Sequence, residues 1–394
     1  MKNLKSYLSV FVILIGLSAV AQETNSPKFG KGLFNLVGKD STWTMKVGAR
    51  MQFLATNVWD IDGNGDFGKN ESNVLVRRAR LKFGGFAYSP KLTYKIELGL
   101  SNRDIGKANK YTNDAPKYIL DAVIKWNFYK NFTLWAGQTK LPGNRERVIS
   151  SGNLQFVDRS KLNSNFNIDR DMGLQLRHHF NLGEKFLVRD MFSISQGEGR
   201  NVTTGNEGGH QYTARVEILP FGKFAGKGDY SGSDLKREAS PKFALGATYN
   251  FNDKSVKDKG SQGSYNENTA TTEGFDMANV STLFVDAMFK YKGMSFMGEY
   301  ANRDTNENAI GFVKKGNSLN LQAGYLCKKN WEVAGRYTNV KFNGAGFSTN
   351  YYTLGVSKFI VGHKLKVQSD LTYADETGLE SGGLEYRLQF DIHF

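Results

Sequence analysis

The chain ends on Gly383 to Phe394, GLEYRLQFDIHF, where Leu384, Tyr386, Leu388, Phe390, Ile392 and Phe394 form one unbroken apolar file. The alternate positions, Glu385, Arg387, Gln389, Asp391 and His393, are all polar or charged. Successive strand side chains point to opposite faces, so this stretch needs an apolar medium on one side and a wet one on the other. A terminal strand of this kind reads as the closing strand of a bacterial outer-membrane β-barrel. The same alternation runs from Thr42 to Trp59, with Trp43, Met45, Val47, Ala49, Met51, Phe53 and Ala55 on one face. Such a run far exceeds the usual globular strand of about five or six residues. Tilted barrel strands need roughly 9–11 residues for the bilayer alone and extend beyond it.

The first 21 residues have the form of a signal peptide. Lys2 and Lys5 precede an apolar run from Leu8 to Val20, and Ala19-Val20-Ala21 offers a small-residue cleavage site. That run is too short to span a bilayer, and no later stretch approaches the roughly 18 apolar residues a helix needs. Residues 22–394 are therefore expected to form a single domain, a barrel in the outer membrane of a Gram-negative bacterium. Only 6 Pro against 43 Gly, 28 Phe and 18 Tyr fit strands that are apolar on one side. The formal net charge of +14 would favour nucleic acid in a cytosolic protein. An exported chain never meets the chromosome, so small anions or acidic surface sugars become the expected partners, with outer-membrane lipid around the barrel.

The stretch VLVRRARLKFGGF is the most informative strand. Leu75, Ala79, Leu81 and Phe83 alternate with Arg78, Arg80 and Lys82. Three cations in file on a lipid face would cost roughly 2–4 kcal/mol each near the midplane. They are expected to face a water-filled lumen, while Arg77 falls on the lipid side near a strand end and reaches for headgroups. Counting such files along the chain gives about sixteen strands, an all-β transmembrane antiparallel barrel. Tight turns alternate with long polar loops, as short periplasmic turns do with external loops. The exception is Pro220 to Pro241, a long basic segment on the short-turn side. Neither alternation nor turn chemistry explains it.

The inward files carry more cations than acids, Arg50, Arg78, Arg80 and Lys82 among them. Rings of Arg and Lys concentrate anions, and the planar guanidinium fork suits phosphate. The long third loop, Pro142 to Asp169, adds Arg145, Arg147, Arg159 and Lys161, with Glu146 and Asp158 as close acids. It also holds Val148, Ile149, Leu154, Phe156 and Val157, too apolar for a loop bathed in water. Folded into the barrel, it would pack these residues on the wall and narrow the pore with its arginines. The expected function is a passive channel for small hydrophilic anions, phosphate or related species first, with no cofactor. A general or sugar-uptake pore and a structural or adhesive barrel with a plugged lumen are the alternatives. A barrel enzyme would need a Ser and His together on one wall, and the files do not assemble that pair.

The runs VRRARLKFGG (76–85), LDAVIKW (120–126), WAGQTKLPGNRERV (135–148), QFVDRS (155–160), RDMGLQL (170–176) and PKFALGATYNF (241–251) resemble the phosphate-selective porin O and P family. The likeness extends over most of the mature chain and is strongest from 76 to 176. It implies a sixteen-stranded, trimeric outer-membrane porin with constrictions lined by arginine and lysine. It would place anion contacts on Arg78 and Arg80 of the basic strand and on Arg145, Arg147 and Arg159 of the third loop.

One further motif stands apart. Asp60, Asp62, Asn64, Gly65 and Glu71, with Asp66 between them, match the spacing of a calcium-binding helix–loop–helix. The flanks alternate at period two, however, so a polar hairpin loop is the expected structure, with calcium binding at the surface by its five oxygen-bearing side chains as the alternative. Gly63-x-Gly65-x-x-Gly68 in the same loop leads into a strand, and so lacks the helix that would cradle a pyrophosphate.

Overall fold

The computed structural model describes residues 27–106, 108–267, 274–305, 313–344, 347–377 and 381–394, and side chains in all of these but Ser381. The expected signal peptide and its cleavage site lie outside the described residues. A short strand, β1 (Phe34–Val37), precedes the long β2 (Thr44–Ile61) and β3 (Phe67–Ala87). Then come β4 (Ser89–Gly99), β5 (Ile119–Tyr129), β6 (Phe132–Lys140), β7 (Arg170–Leu182), β8 (Phe186–Ser195), β9 (Gln211–Leu219) and β10 (Lys242–Ser255). A loop hairpin of β11 (Lys257–Lys259) and β12 (Gln262–Tyr265) follows. The second half holds β13 (Ala278–Tyr291), β14 (Met294–Thr305), β15 (Gly316–Leu326), β16 (Trp331–Phe342), β17 (Ser348–Phe359), β18 (Leu365–Thr377) and β19 (Ser381–His393).

Sixteen strands, β2 to β10 and β13 to β19, each pair antiparallel with the next, and β19 pairs back onto β2 from Gly382↔Ile61 to His393↔Arg50. Closure leaves no sheet edge in the bilayer, where unpaired backbone groups cost several kcal/mol each. The terminal strand is thus the one that seals the cylinder. Below it, β1 takes over the same edge of β2, pairing Val37↔Thr44 to Phe34↔Val47. The Phe394 N–H still donates to the Ala49 carbonyl (2.9 Å), and the Phe394 ring meets Phe29 edge-on. Outward files such as Ile124, Trp126 and Phe128 are exposed and apolar, as lipid contact requires.

The basic strand departs from the expected phase. Gln52 pairs with Arg78 but Phe53 pairs with Val76, so Arg77 is an extra residue in a β-bulge. A bulge shifts the alternation by one. Val74 and Val76 therefore point out, Leu75 turns inward, and Arg77 reaches the lumen, where it pairs with Asp158 (2.7 Å). Leu75 was expected outward and Arg77 on the lipid side; the bulge reverses both.

The 60–73 stretch is also tighter than expected. Pairing of β2 with β3 continues to Ile61↔Phe67, leaving a five-residue tip at 62–66. The long 220–241 segment lies at the short-turn end and folds up into the barrel. Its Gly232 N–H donates to the Asn153 carbonyl of the third loop (2.8 Å).

Candidate functional site

The third loop leaves β6 at Lys140, crosses the lumen and returns to β7 at Arg170. Two apolar patches on the inner wall receive it. Ile149 and Leu154 pack with Leu187, Leu219, Met288 and Met297, while Leu162, Phe166 and Ile168 pack with Phe284, Ala301 and Val340. Phe284 and Met288 occupy inward positions of β13, alternating with Asp286 and Lys290, where a purely wet wall would carry polar groups. Each fully buried loop side chain contributes about 1.5–3 kcal/mol against the cost of ordering the loop. A one-turn helix, Lys161–Phe166, starts on Ser160, whose hydroxyl accepts the Asn163 N–H (3.2 Å).

The loop is tied to the β13–β19 wall through that wall's own carboxylates. Glu299 accepts from Asn144 Nδ2 (2.7 Å) and the Glu146 N–H (3.0 Å). Glu332 accepts from Gln155 Nε2 (3.0 Å), and Asp370 from the Val157 N–H (3.0 Å). Asp286 pairs with Arg145 and Arg215, and Asp391 with Arg50, which also donates to Ser151 Oγ (2.6 Å). All five carboxylates are at most 2 % exposed. Loop docking thus keeps these five acids of that half of the wall from water.

The open space lies against the other half, β3 to β9. A cavity of about 900 Å³ runs there beside the loop. Its walls hold seventeen Lys and Arg against six acids, Glu97, Asp104, Asp121, Asp169, Glu217 and Asp229. Arg78, Arg80, Lys82, Arg147 and Arg159 all border it. Arg80 is held by Asp104 (2.7 Å) and Glu97 (3.0 Å), and Lys82 stands 3.6 Å from Glu97 with about a third of its side chain exposed. Arg78 shares Asp158 with Arg77. Arg147 pairs with Asp169. Arg159 is positioned by two carbonyls, those of Glu146 (2.9 Å) and Ile149 (2.7 Å), and among the described residues no carboxylate lies within ion-pair distance of it. Burial pushes the Arg159 guanidinium down to about 10, against the pull of Asp158 and Glu146, and leaves it protonated at neutral pH. On Asp158, burial raises the carboxyl, but Arg78 and Arg77 outweigh it and hold it well below the usual carboxylate range.

Two of the expected cations are not brought to the cavity. Arg50 is 1 % exposed, with its donors taken by Asp391, Ser151 and Gln52. Arg145 is fully buried between Asp286, Glu217 and the Asp229 carbonyl. Their guanidiniums fasten the loop to the wall and offer no free donor face.

Other cavity residues escaped notice in the sequence. Arg77 arrives through the bulge. Lys140 and Arg170, at the two feet of the loop, point inward, Lys140 onto the Arg147 and Ile149 carbonyls and Arg170 onto Asp121. Trp135 was also unmarked; the cations of the inward files that it carries, Lys125 and Arg177, stand with Nζ 3.8 Å and the guanidinium 3.9 Å from its ring centre. Inward apolar residues on β13 were the available signal that a loop docks there.

The hairpin tip does not gather its oxygens. Asp62 Oδ1 accepts the Asn64 and Asp66 N–H groups (2.9 Å each), closing the turn on itself. Glu71 lies in β3 opposite Val58, beside Lys69. Asp60, Asp62, Asn64, Asp66 and Glu71 form no ion cage, and among the described residues no acidic, His or Cys cluster of that kind occurs.

A relative from Aquifex aeolicus described as an uncharacterized protein is 24 % identical over 364 residues, 84 % of this chain and 83 % of its own. An anion-selective porin from Comamonas acidovorans superposes with a TM-score of 0.54 at 12 % identity, covering 89 % of this chain and all of that one. The outer-membrane channel DcaP of Acinetobacter baumannii gives 0.53 at 13 % identity over 91 % and 99 % of the two chains. The two structural likenesses concern the fold alone. The family model for phosphate-selective porin O and P matches residues 46–392, so this chain belongs to that family of porins of the Gram-negative outer membrane.

Proposed function

We propose that this porin passively conducts small hydrophilic anions, with phosphate or related oxyanions preferred, as the mature chain 22–394. The carrying observation is the cavity beside the third loop, where cations outnumber acids by almost three to one. An excess of fixed positive charge in a narrow, partly desolvated passage raises the local anion concentration and repels cations. Arg78, Arg80, Lys82, Arg147 and Arg159 would be successive anion contacts. Paired arginines such as Arg80 bind weakly because an anion must compete with Asp104 and Glu97, and conduction needs several weak sites in place of one tight trap. The guanidinium fork favours tetrahedral oxyanions over chloride. The Comamonas relative described as anion-selective agrees with this reading. Assembly as a trimer is part of the proposal, since the Vibrio cholerae barrel OmpT, of like fold, is described in a trimer form. The solute gradient alone supplies the driving force.

Planar-bilayer recording tests it. A KCl gradient should give a reversal potential on the anion side, and phosphate added to chloride should reduce the chloride current by occupying shared sites. Cation preference, or no preference at all, would overturn the proposal.

A further inference from the structure

The geometry points to the 220–241 segment as a strut inside the pore, one that holds the third loop in place and forms the second charged wall of the passage. This rests on the anion-channel reading above. The segment connects β9 to β10 at the end where every other connection is short, yet it enters the lumen. Lys290 of β13, 1 % exposed, directs its ammonium at three carbonyls of the segment, those of Gly228, Ser231 and Ser233, each 2.8 Å away. An ammonium has three N–H donors, so this cation is wholly spent on pinning the segment to the wall. At the foot, Arg237 donates to the Leu326 and Cys327 carbonyls (2.7 Å each), tying the segment to the neighbouring turn.

From this platform the segment grips the third loop. Besides the Gly232–Asn153 bond, the Asp229 carbonyl accepts from Arg145 Nη1 (3.1 Å), and Phe224 packs in the cluster with Ile149 and Leu154. Gly232 lies so close that an added Cβ would meet the Gln155 nitrogen at 2.6 Å, so only glycine lets the two main chains approach. Lys223 and Lys227, both exposed, then project into the same cavity as Arg147 and Arg159. Among the described residues no carboxylate lies within ion-pair distance of either lysine. Lys290 is thus a positioning residue, and Lys223 and Lys227 set charge preference.

Two sets of variants test the two halves. Lys223→Gln with Lys227→Asn removes charge at exposed positions, and Asn tolerates the left-handed backbone at 227 (φ +59°). The expected result is a reversal potential shifted toward zero in a KCl gradient at unchanged open-channel noise. An unshifted reversal potential beside an anion-selective wild type overturns the charge role. Lys290→Met should release the segment, raising single-channel conductance and adding flicker; unchanged conductance and noise overturn the strut. If that variant does not fold, judged by heat-modifiable electrophoretic mobility, Gly232→Ala wedges the same contact and is read by the same outcomes. A wild type without anion preference would fail the channel reading and with it the charge role, while the conductance measurements would still decide the strut.

Discussion

Arg50 and Asp391 face each other across the seam that closes the barrel, joined by two bonds, Nε to Oδ1 at 2.9 Å and Nη2 to Oδ2 at 2.7 Å. The same guanidinium continues to Ser151 of the third loop. One side chain therefore links barrel closure to the docking of the loop.

Removing one partner of that pair leaves the other charge buried and unanswered, a loss of about 3–5 kcal/mol. Asp391→Ala is expected to destabilise the barrel by about that amount in urea unfolding from lipid vesicles, and to add noise to the open channel as Arg50, no longer fixed by its carboxylate, holds Ser151 less firmly. A variant as stable and as quiet as the wild type would show the seam does not depend on the pair.

The arginines of the third loop should divide into two classes. Arg147→Ala with Arg159→Ala removes charge from the cavity, so the reversal potential should move toward zero with little loss of stability. Arg145→Ala breaks a fully buried network with Asp286 and Glu217 and should cost about 3–5 kcal/mol instead. Equal effects of the two variants on stability would contradict this division.

Arg77 is the extra residue of a bulge, two residues facing one. Deleting it should therefore preserve the phase on both sides and let the barrel fold, while removing one lumenal cation. The expected outcome is normal heat-modifiable mobility with weakened anion preference. Failure to fold would mean that the bulge itself is needed for closure.

Asp158 joins Arg77 and Arg78 to the loop, and its folded pKa is lowered well below the ordinary value. A depressed carboxyl contributes stability fully present above its unfolded pKa of about 3.9, and that stability is lost as pH falls through the folded value. Protease resistance of the third loop should be the same at pH 7 and pH 5 and fall only in stronger acid. Asp158→Asn should lower that resistance at pH 7, and a variant as resistant as the wild type would speak against the clamp.

Much of the architecture was legible in the residues. Alternation at period two is a local property, imposed on each strand by lipid on one side and water on the other, so files such as Leu384 to Phe394 reveal themselves without a partner. The apolar residues of the third loop likewise foretold its burial. The strand phase around Arg77 was not legible, because a bulge is set by the register of two strands and leaves no mark on composition.

Sequence alone determined the barrel, its approximate strand number and its closing strand. Only the tertiary structure decided which cations are free and which are spent. Arg50 finds Asp391 at a separation of 341 residues, and Arg145 finds Asp286 at 141. Neither pairing can be read from a neighbourhood in the chain. The docked loop and the inward 220–241 segment cover five carboxylates of one wall and leave the cavity against the basic one, because which charges are neutralised depends on the partners brought against them in space.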